Sequence, residues 1–511
     1  MSVDIRCLCI IAVSIFPLVS PAQEWVARYN GPGNIEDVAF ALAIDDADNV
    51  YVTGVSVDLA TGPDYATVKY DSSGVEQWVV RYNGTSNGYD FARAIAIDGA
   101  GSIYVTGYSD GLSTCEDFAT VKYDSSGLEH WTARYNGPGD SSDYAYAIAV
   151  DNTGSVIVTG YSAGSSIYGD YATVKYDSSG LQQWVARYDS PDARDDEARA
   201  IAVDAAGNVY VTGWSFAWDT WPDYATVKYD SSGIEQWVAR YNGPANGGDW
   251  AEAITVDPAG NVYVTGTSAG QGADYATIKY DSSGVEQWVA RYSGSGNGHD
   301  DRAYAIALDD VGNIYVTGKS DGLGTGPDYA TIKYNPLGVE QWVARYNGPD
   351  SLGDYGYAIA ISNSGNVCVT GWSYSAASDA DYATVVYDST GIELWAERYN
   401  GPGNGNDEAN AITIENSGDV YITGRSVGQG THWDYATIKY SSTGVEENIL
   451  TVVDQDEITT TIIRGPLLLP TGKKCRVYDI TGRVVESDKI RPGIYFIELD
   501  GVVIQKVVKI R

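Results

Sequence analysis

One unit recurs eight times along this chain, and that recurrence limits it to a handful of architectures. The unit is clearest at 198–241, where ARAIAVDAAGNVYVTG precedes a loop of varying sequence and DYATVKYDSSGIEQWVARY follows it. Trp25, Trp78, Trp131, Trp184, Trp237, Trp288, Trp342 and Trp395 lie 51 to 54 residues apart. Copies of D-[YF]-A-T-[VI] begin at Asp64, Asp117, Asp170, Asp223, Asp274, Asp328, Asp381 and Asp434. A fixed period of this length marks a propeller, a solenoid or an array.

Each unit offers four short runs suited to strands, in the fourth unit 198–203, 209–213, 223–229 and 236–241. They are rich in Val, Ile, Thr, Tyr and Trp and are separated by Gly, Asp, Ser and Asn. No helix-length run of 3.6-residue period lies between them, which disfavours a β/α solenoid. Four antiparallel strands per repeat make a propeller blade. The alanine-rich first run suits the narrow space beside a central channel. The expected fold is an all-β, eight-bladed β-propeller.

Counting strands predicts how the ring closes. Residues 24–29 (EWVARY) form an orphan fourth strand at the start, while the eighth unit lacks its own and reads VEENILTVV after Gly444. The orphan should complete the eighth blade, and closure removes the exposed edges of an open array. The propeller is therefore placed at 23–444. Residues 445–511 lose the repeat, contain Pro466 and Pro470, and continue in β-rich runs, which reads as a small appended β-sandwich.

Residues 1–22 have the character of a secretory signal peptide: Arg6, the apolar CLCIIAVSIFPLV, and a small-residue Ser20-Pro21-Ala22 site. The apolar run is short for a membrane span, so no transmembrane helix is expected in the mature chain. Three cysteines would remain, Cys115, Cys368 and Cys475, with no repeated spacing, which argues against a disulfide framework or a zinc site. The 68 Asp and Glu against 32 Lys and Arg give a net charge of −36, which opposes nucleic acid and anionic lipid as partners. A monomer is expected.

Two resemblances attach to these residues. The units, with A-I-A-[VI]-D-x-x-G-N-V-Y-V-T-G and D-Y-A-T-V-K-Y-D-x-x-G, resemble the bacterial β-propeller repeat family of secreted and surface proteins (SBBP-like repeats). The tail VYDITGRVVES…IRPGIYFIELDGVVIQKVVKIR resembles the C-terminal sorting domain of the type IX (Por) secretion system. The second resemblance implies export to the cell surface or beyond, with the secretion machinery as a partner of the tail. The recurring Trp resembles the blade-docking Trp of eight-bladed quinoproteins, although nothing else in the repeat suggests a quinone, and no cofactor is expected.

Several motifs invite chemistry, and their recurrence from unit to unit argues for structure instead. G-x-S-x-G occurs at 107–111, 160–164, 266–270, 318–322 and 424–428, but it leaves a strand for a loop, and three histidines cannot serve five serines. D-x-x-G-N and Asp-Ser-Ser-Gly read as tight turns. The arginine three residues after each Trp reads as an ion-pair partner on the strand's other face. Asp37, Asp90, Asp143, Asp196, Asp249, Asp301, Asp354 and Asp407 start the first strands at one rim. Together with the Asp opening each DYAT strand they could gather a cation such as Ca²⁺, and backbone capping and pairing with Arg and Lys is the favoured alternative.

Function is expected where the symmetry breaks. The loops between second and third strands vary most and open on that same rim, with Trp214, Phe216, Trp218 and Trp221 in one loop, Trp250 nearby, and Trp372 and Trp433 at related places. Exposed aromatic rings beside carboxylates suit stacking on sugars or on a peptide surface. The leading expectation is a secreted or surface-displayed, non-enzymatic binding or adhesion scaffold. The alternatives are a polysaccharide-active lyase or hydrolase and a passive envelope component; fold alone does not choose among them.

Overall fold

A computed structural model describes residues 23–441, apart from 165–167, 192–193, 218–219, 271, 295–299 and 323, and in the tail 459–463, 475–479, 483–485, 493–499 and 502–509. The expected signal peptide lies outside the described residues. Residues Pro21–Thr443 form one compact unit, and the tail strands belong to another.

Every described element of the first unit is a β-strand, and the strands form eight antiparallel sheets of four. Blade 1 runs through Asp37–Ile44, Val50–Asp58, Gly62–Tyr70 and Glu76–Tyr82 in that order from the inside. Six further blades repeat this meander, and their inner strands touch one another around the ring. Blade 8 has Asp407–Ile414, Val420–Val427 and Trp433–Tyr440, and its fourth strand is Gln23–Tyr29 from the start of the chain. The pairing runs from Gln23 opposite Tyr440 to Tyr29 opposite Tyr435, so the ring closes as the strand count required.

The second and third strands of each blade are buried along most of their length, because both faces of the sheet are covered by neighbouring blades. The core is accordingly a series of inter-blade clusters. At the closing seam, Ala27, Tyr29, Tyr421 and Tyr435 of blade 8 pack with Ala39, Val50, Val52, Ala66, Val68 and Tyr70 of blade 1.

Repeated polar contacts cross each seam. Trp78 lies over Gly127 of the next blade's Asp-Ser-Ser-Gly turn, and its Nε1–H donates to Ser125 O at 3.1 Å. Gly127 has φ of 85°, and its bare Cα gives the indole its seat. Trp25 makes the same contact across the closing seam, to Ser72 O at 3.1 Å. The DYAT tyrosine donates to a carbonyl of the following blade, Tyr65 to Ala119 and, at closure, Tyr435 to Ala66. The Trp and Tyr rows are thus seam contacts.

The strands run further into the variable loops than their composition suggests. Blade 4 pairs to Ala217 opposite Thr220, so most of the described part of the expected loop there is strand. In the tail, the described strands pair into one five-stranded sheet that includes a parallel pair, Thr459–Ile463 with Val502–Lys509. A second sheet facing it, as the expected sandwich requires, is not found among the described residues.

Candidate functional site

The serines of the G-x-S-x-G motifs are sealed inside the blades. Ser109, Ser162, Ser268, Ser320 and Ser426 are buried, and each hydroxyl accepts from Nη1 of the arginine on its blade's outer strand. The same arginines pair with the DYAT aspartates. Arg28–Asp434, Arg81–Asp64, Arg134–Asp117, Arg187–Asp170, Arg240–Asp223, Arg291–Asp274, Arg345–Asp328 and Arg398–Asp381 all lie at 2.6–3.2 Å.

The other carboxylate row caps backbone. Asp37, Asp90, Asp143, Asp196, Asp249, Asp301, Asp354 and Asp407 are buried, and each Oδ2 accepts the N–H of the residue six or seven places before it, Gly31 or its counterpart. Burial pushes the carboxyls of Asp90, Asp143 and Asp354 up to about 6 and that of Asp196 up to about 7. The D-x-x-G-N turns are self-contained too, since Asp204 accepts from the N–H groups of Ala206 and Asn208, from Asn208 Nδ2 and from Tyr210 Oη. Among the described residues one group of carboxylates converges, Asp170, Asp189 and Asp196, with one oxygen of each within 4.8 Å of the others. Asp170 is already bound by Arg187.

The symmetry breaks at the mouth of the channel. Every inner strand contains a β-bulge between its first and second alanine-type positions, at Phe40, Arg93, Tyr146, Arg199, Glu252, Tyr304, Tyr357 and Asn410. A bulge re-aims one side chain, and here the re-aimed side chains of neighbouring blades meet. The Arg93 guanidinium lies 4.6 Å from the Phe40 ring, Arg199 lies 5.1 Å from Tyr146, Tyr304 and Tyr357 are 5.0 Å apart, and Asn410 Nδ2 donates to Ala39 O. Glu252 is partly buried, which raises its carboxyl, with the charge of Arg199 opposing.

A second variable position sits two residues earlier, paired across the strand with a third. The pairs are Val38–Val55, Phe91–Tyr108, Tyr144–Tyr161, Glu197–Trp214, Trp250–Thr267, Arg302–Lys319, Tyr355–Trp372 and Glu408–Arg425. Rings stack along this rim. Phe91 and Tyr108 are 5.2 Å apart with planes at 16°, and Tyr108 meets Tyr144 of the next blade edge-on at 4.9 Å.

The loop aromatics fall in different surroundings. Trp214 and Phe216 pack edge to face at 5.6 Å, and Trp372 stacks on Tyr355 at 4.1 Å. Trp221 is 66% exposed and Trp250 38% exposed, whereas Trp218 lies outside the described residues. Trp433 carries the Arg425 guanidinium 3.9 Å above its ring. Of these residues it is Trp433 that lines a cavity of about 460 Å³ spanning blades 8, 1 and 2. The rest of that lining is Glu36, Val38, Phe40, Val55, Val57, Pro63, Tyr89, Phe91, Glu408, Asn410 and Arg425. Glu408 and Arg425 hold each other through two contacts of 2.7 Å.

The inner-strand residues of this cavity were not singled out by loop composition. Comparing the eight copies of D-x-[AG]-x-A column by column would have found them, because both x columns change in nearly every copy while their neighbours stay fixed.

No described helix is long and apolar enough to cross a membrane. The chain is 24% identical over 461 residues to an uncharacterized WD repeat-containing protein, L264, of Acanthamoeba polyphaga mimivirus. The match covers 78% of this chain and 30% of that relative's length. Similar solved structures include the periplasmic gluconolactonase PpgL of Pseudomonas aeruginosa, at 12% identity and a TM-score of 0.44, covering 71% of this chain and 95% of that one. Another is the β-propeller domain of the Trilobed protease from Pyrococcus furiosus, at 8% identity and a TM-score of 0.41, covering 70% and 98%. The family model described as Beta-propeller repeat, SBBP, matches residues 77–112, 183–215, 236–272 and 287–324. Four segments of the repeated region thus match the SBBP β-propeller repeat, in keeping with the eight-bladed fold.

Proposed function

We propose that this protein is an exported, non-enzymatic binding scaffold whose ligand is a glycan seated at the channel mouth, in the cavity of blades 8, 1 and 2. The observation that carries this is that, within the otherwise repeated strands of the blade, sequence variation gathers at the bulge and cross-strand positions. A scaffold that needed only to be stable would have no reason to change those side chains from blade to blade. The cavity joins an apolar floor, Val38, Val55, Val57 and Pro63, to aromatic walls, Phe40, Phe91, Tyr89 and Trp433, with a few polar groups among them. That mixture suits a sugar, which presents C–H faces to rings and hydroxyls to amides and carboxylates. Of the two carboxylates in its lining, Glu408 is bound by the Arg425 guanidinium and Glu36 is exposed, which favours holding a ligand over transferring protons.

The test is a glycan array probed with the purified propeller and with a Phe91→Ala, Trp433→Ala variant. The intact protein should retain a defined set of glycans, and the variant should lose about tenfold or more in affinity while melting normally. Glycan binding that survives the double substitution would remove the site. Export rests on the character of residues 1–22 and on the tail's resemblance to a type IX sorting domain. A chain ending at Gly444 should stay in the periplasm of a type IX-competent host, and normal surface delivery of that chain would refute the sorting role.

A further inference from the structure

Arg199, Arg302 and Arg425 of the channel mouth each hold a carboxylate. Arg199 pairs with Glu197 at 2.9 Å, Arg302 with Asp300 at 2.9 Å, and Arg425 with Glu408 at 2.7 Å. Arg93 is different. It meets no carboxylate among the described residues, and its one hydrogen bond runs from Nη2 to Tyr108 Oη at 3.1 Å. Its guanidinium lies over the rings of Phe40, Tyr108 and Phe91 at 4.6, 5.4 and 5.9 Å. Among the described residues Nε is buried without a partner, whereas Nη1 makes no bond to protein and is not among the sealed atoms.

Three aromatic faces thus partly dehydrate a cation that has no counter-charge among the described residues. Desolvation is the main cost of bringing an anion to a guanidinium, and here part of it has been met in folding. The ring does not need a charge at this place, since the same bulge position holds Phe40, Tyr146, Tyr304 and Tyr357 in other blades. In a chain of net charge −36, a lone cation beside a cavity is a selective feature. Phe40 and Phe91, which flank Arg93, also line that cavity.

We infer that the channel mouth takes an acidic sugar, a uronic-acid residue of a polysaccharide, with its carboxylate on Arg93 and its ring against Phe40 and Phe91. This rests on the reading of the channel mouth as a glycan site. The planar fork of a carboxylate matches a guanidinium. Tyr146 lies in the field of both Arg93 and Arg199. Among the cavity's carboxylates, Glu408 is neutralised by Arg425, and Glu36 is exposed. An anion would be repelled from Glu36 and drawn to the Arg93 side.

Calorimetric titration with trimers of galacturonic, glucuronic and mannuronic acid, each beside its neutral methyl ester, tests this. At least one acid trimer should bind about tenfold or more tightly than its ester, as expected for one charge-assisted contact. Arg93→Gln should abolish that preference, Arg93→Lys should keep part of it, and both should melt within about 2 °C of the parent. Equal binding of all three acids and their esters overturns the inference, and so does a preference that survives Arg93→Gln. A clear loss of melting temperature in both variants would make Arg93 a packing residue and also overturn it. If neutral trimers bind with no preference for acids, the glycan site stands and only the uronate is lost; if no trimer binds, the uronate is overturned and the glycan array alone decides the glycan site.

Discussion

Arg134 shows what a repeated residue does when its partners are followed atom by atom. Nη2 binds Asp117 at 2.8 Å and Ser109 O at 2.6 Å, while Nη1 reaches Ser109 Oγ and crosses the seam to Tyr82 Oη at 3.3 Å. One side chain thus holds the second, third and fourth strands of its blade and the outer strand of the blade before it. Asp117 is buried, so removing the cation strands a carboxylate in a poorly hydrated place. Arg134→Leu should cost about 3 kcal/mol, the lower end for breaking a buried pair because Arg134 is itself partly exposed. Adding Asp117→Asn should recover part of that loss. Urea denaturation of both variants measures it, and a single-mutant loss under about 1 kcal/mol would place the pair with ordinary surface bridges.

At the scale of elements, the strand that closes the ring joins the two ends of the propeller. Deleting 23–30 removes Trp25 with its bond to Ser72, the Arg28–Asp434 pair and the closing strand's own backbone bonds to Trp433–Tyr440. The opened protein should melt earlier and associate through the bare edge, seen by scanning calorimetry and light scattering. Cysteines at Ala27 and Thr437, or at Val26 and Ile438, face each other directly and should crosslink in the intact protein, one of the two pairs being the closer, non-hydrogen-bonded kind. Failure of both pairs, with full stability after the deletion, would contradict the closure. This element was legible in the sequence, because a missing EQWVARY at one end and a surplus EWVARY at the other can be counted. The inner-strand bulge was not. A bulge normally betrays itself by shifting the alternation of large and small residues, and here alanine stands on both sides of it, so the shift leaves no trace. The same silence hid Arg93 and Phe40, whose importance depends on being turned toward the neighbouring blade, while the loop tryptophans drew notice by size alone.

For the whole molecule, acidity and burial act together on how stability changes with pH. The capping carboxylates Asp37, Asp90, Asp143, Asp196, Asp249, Asp354 and Asp407 are all raised, chiefly by burial. A carboxyl raised by folding contributes stability that is complete below the ordinary carboxylate range and is lost as pH climbs through its folded value. For Asp90, Asp143 and Asp354 that loss extends to about pH 6, and for Asp196 to about pH 7. The turn carboxylates Asp45, Asp98, Asp151, Asp204 and Asp257 are lowered despite partial burial, mainly through hydrogen bonds they accept. Their contribution is complete above the ordinary range and is lost as pH falls below it. Repulsion within a chain of net charge −36 also weakens on the acid side. The melting temperature should therefore peak at about pH 4 to 5 and decline steadily toward pH 8. The decline should be concentrated at the junction of blades 3 and 4, where Asp170, Asp189 and Asp196 converge within 4.8 Å and Asp189 is also raised. Asp196→Asn keeps an acceptor for the Ser190 N–H and removes one of those charges. It should raise the melting temperature at pH 8 and leave it unchanged at pH 4.5, so that the slope between the two becomes shallower. A parent profile that is flat or rising from pH 5 to pH 8, or an Asp196→Asn variant destabilised equally at both, would show that these buried carboxylates stay ionised throughout and that the backbone they cap depends on the charge.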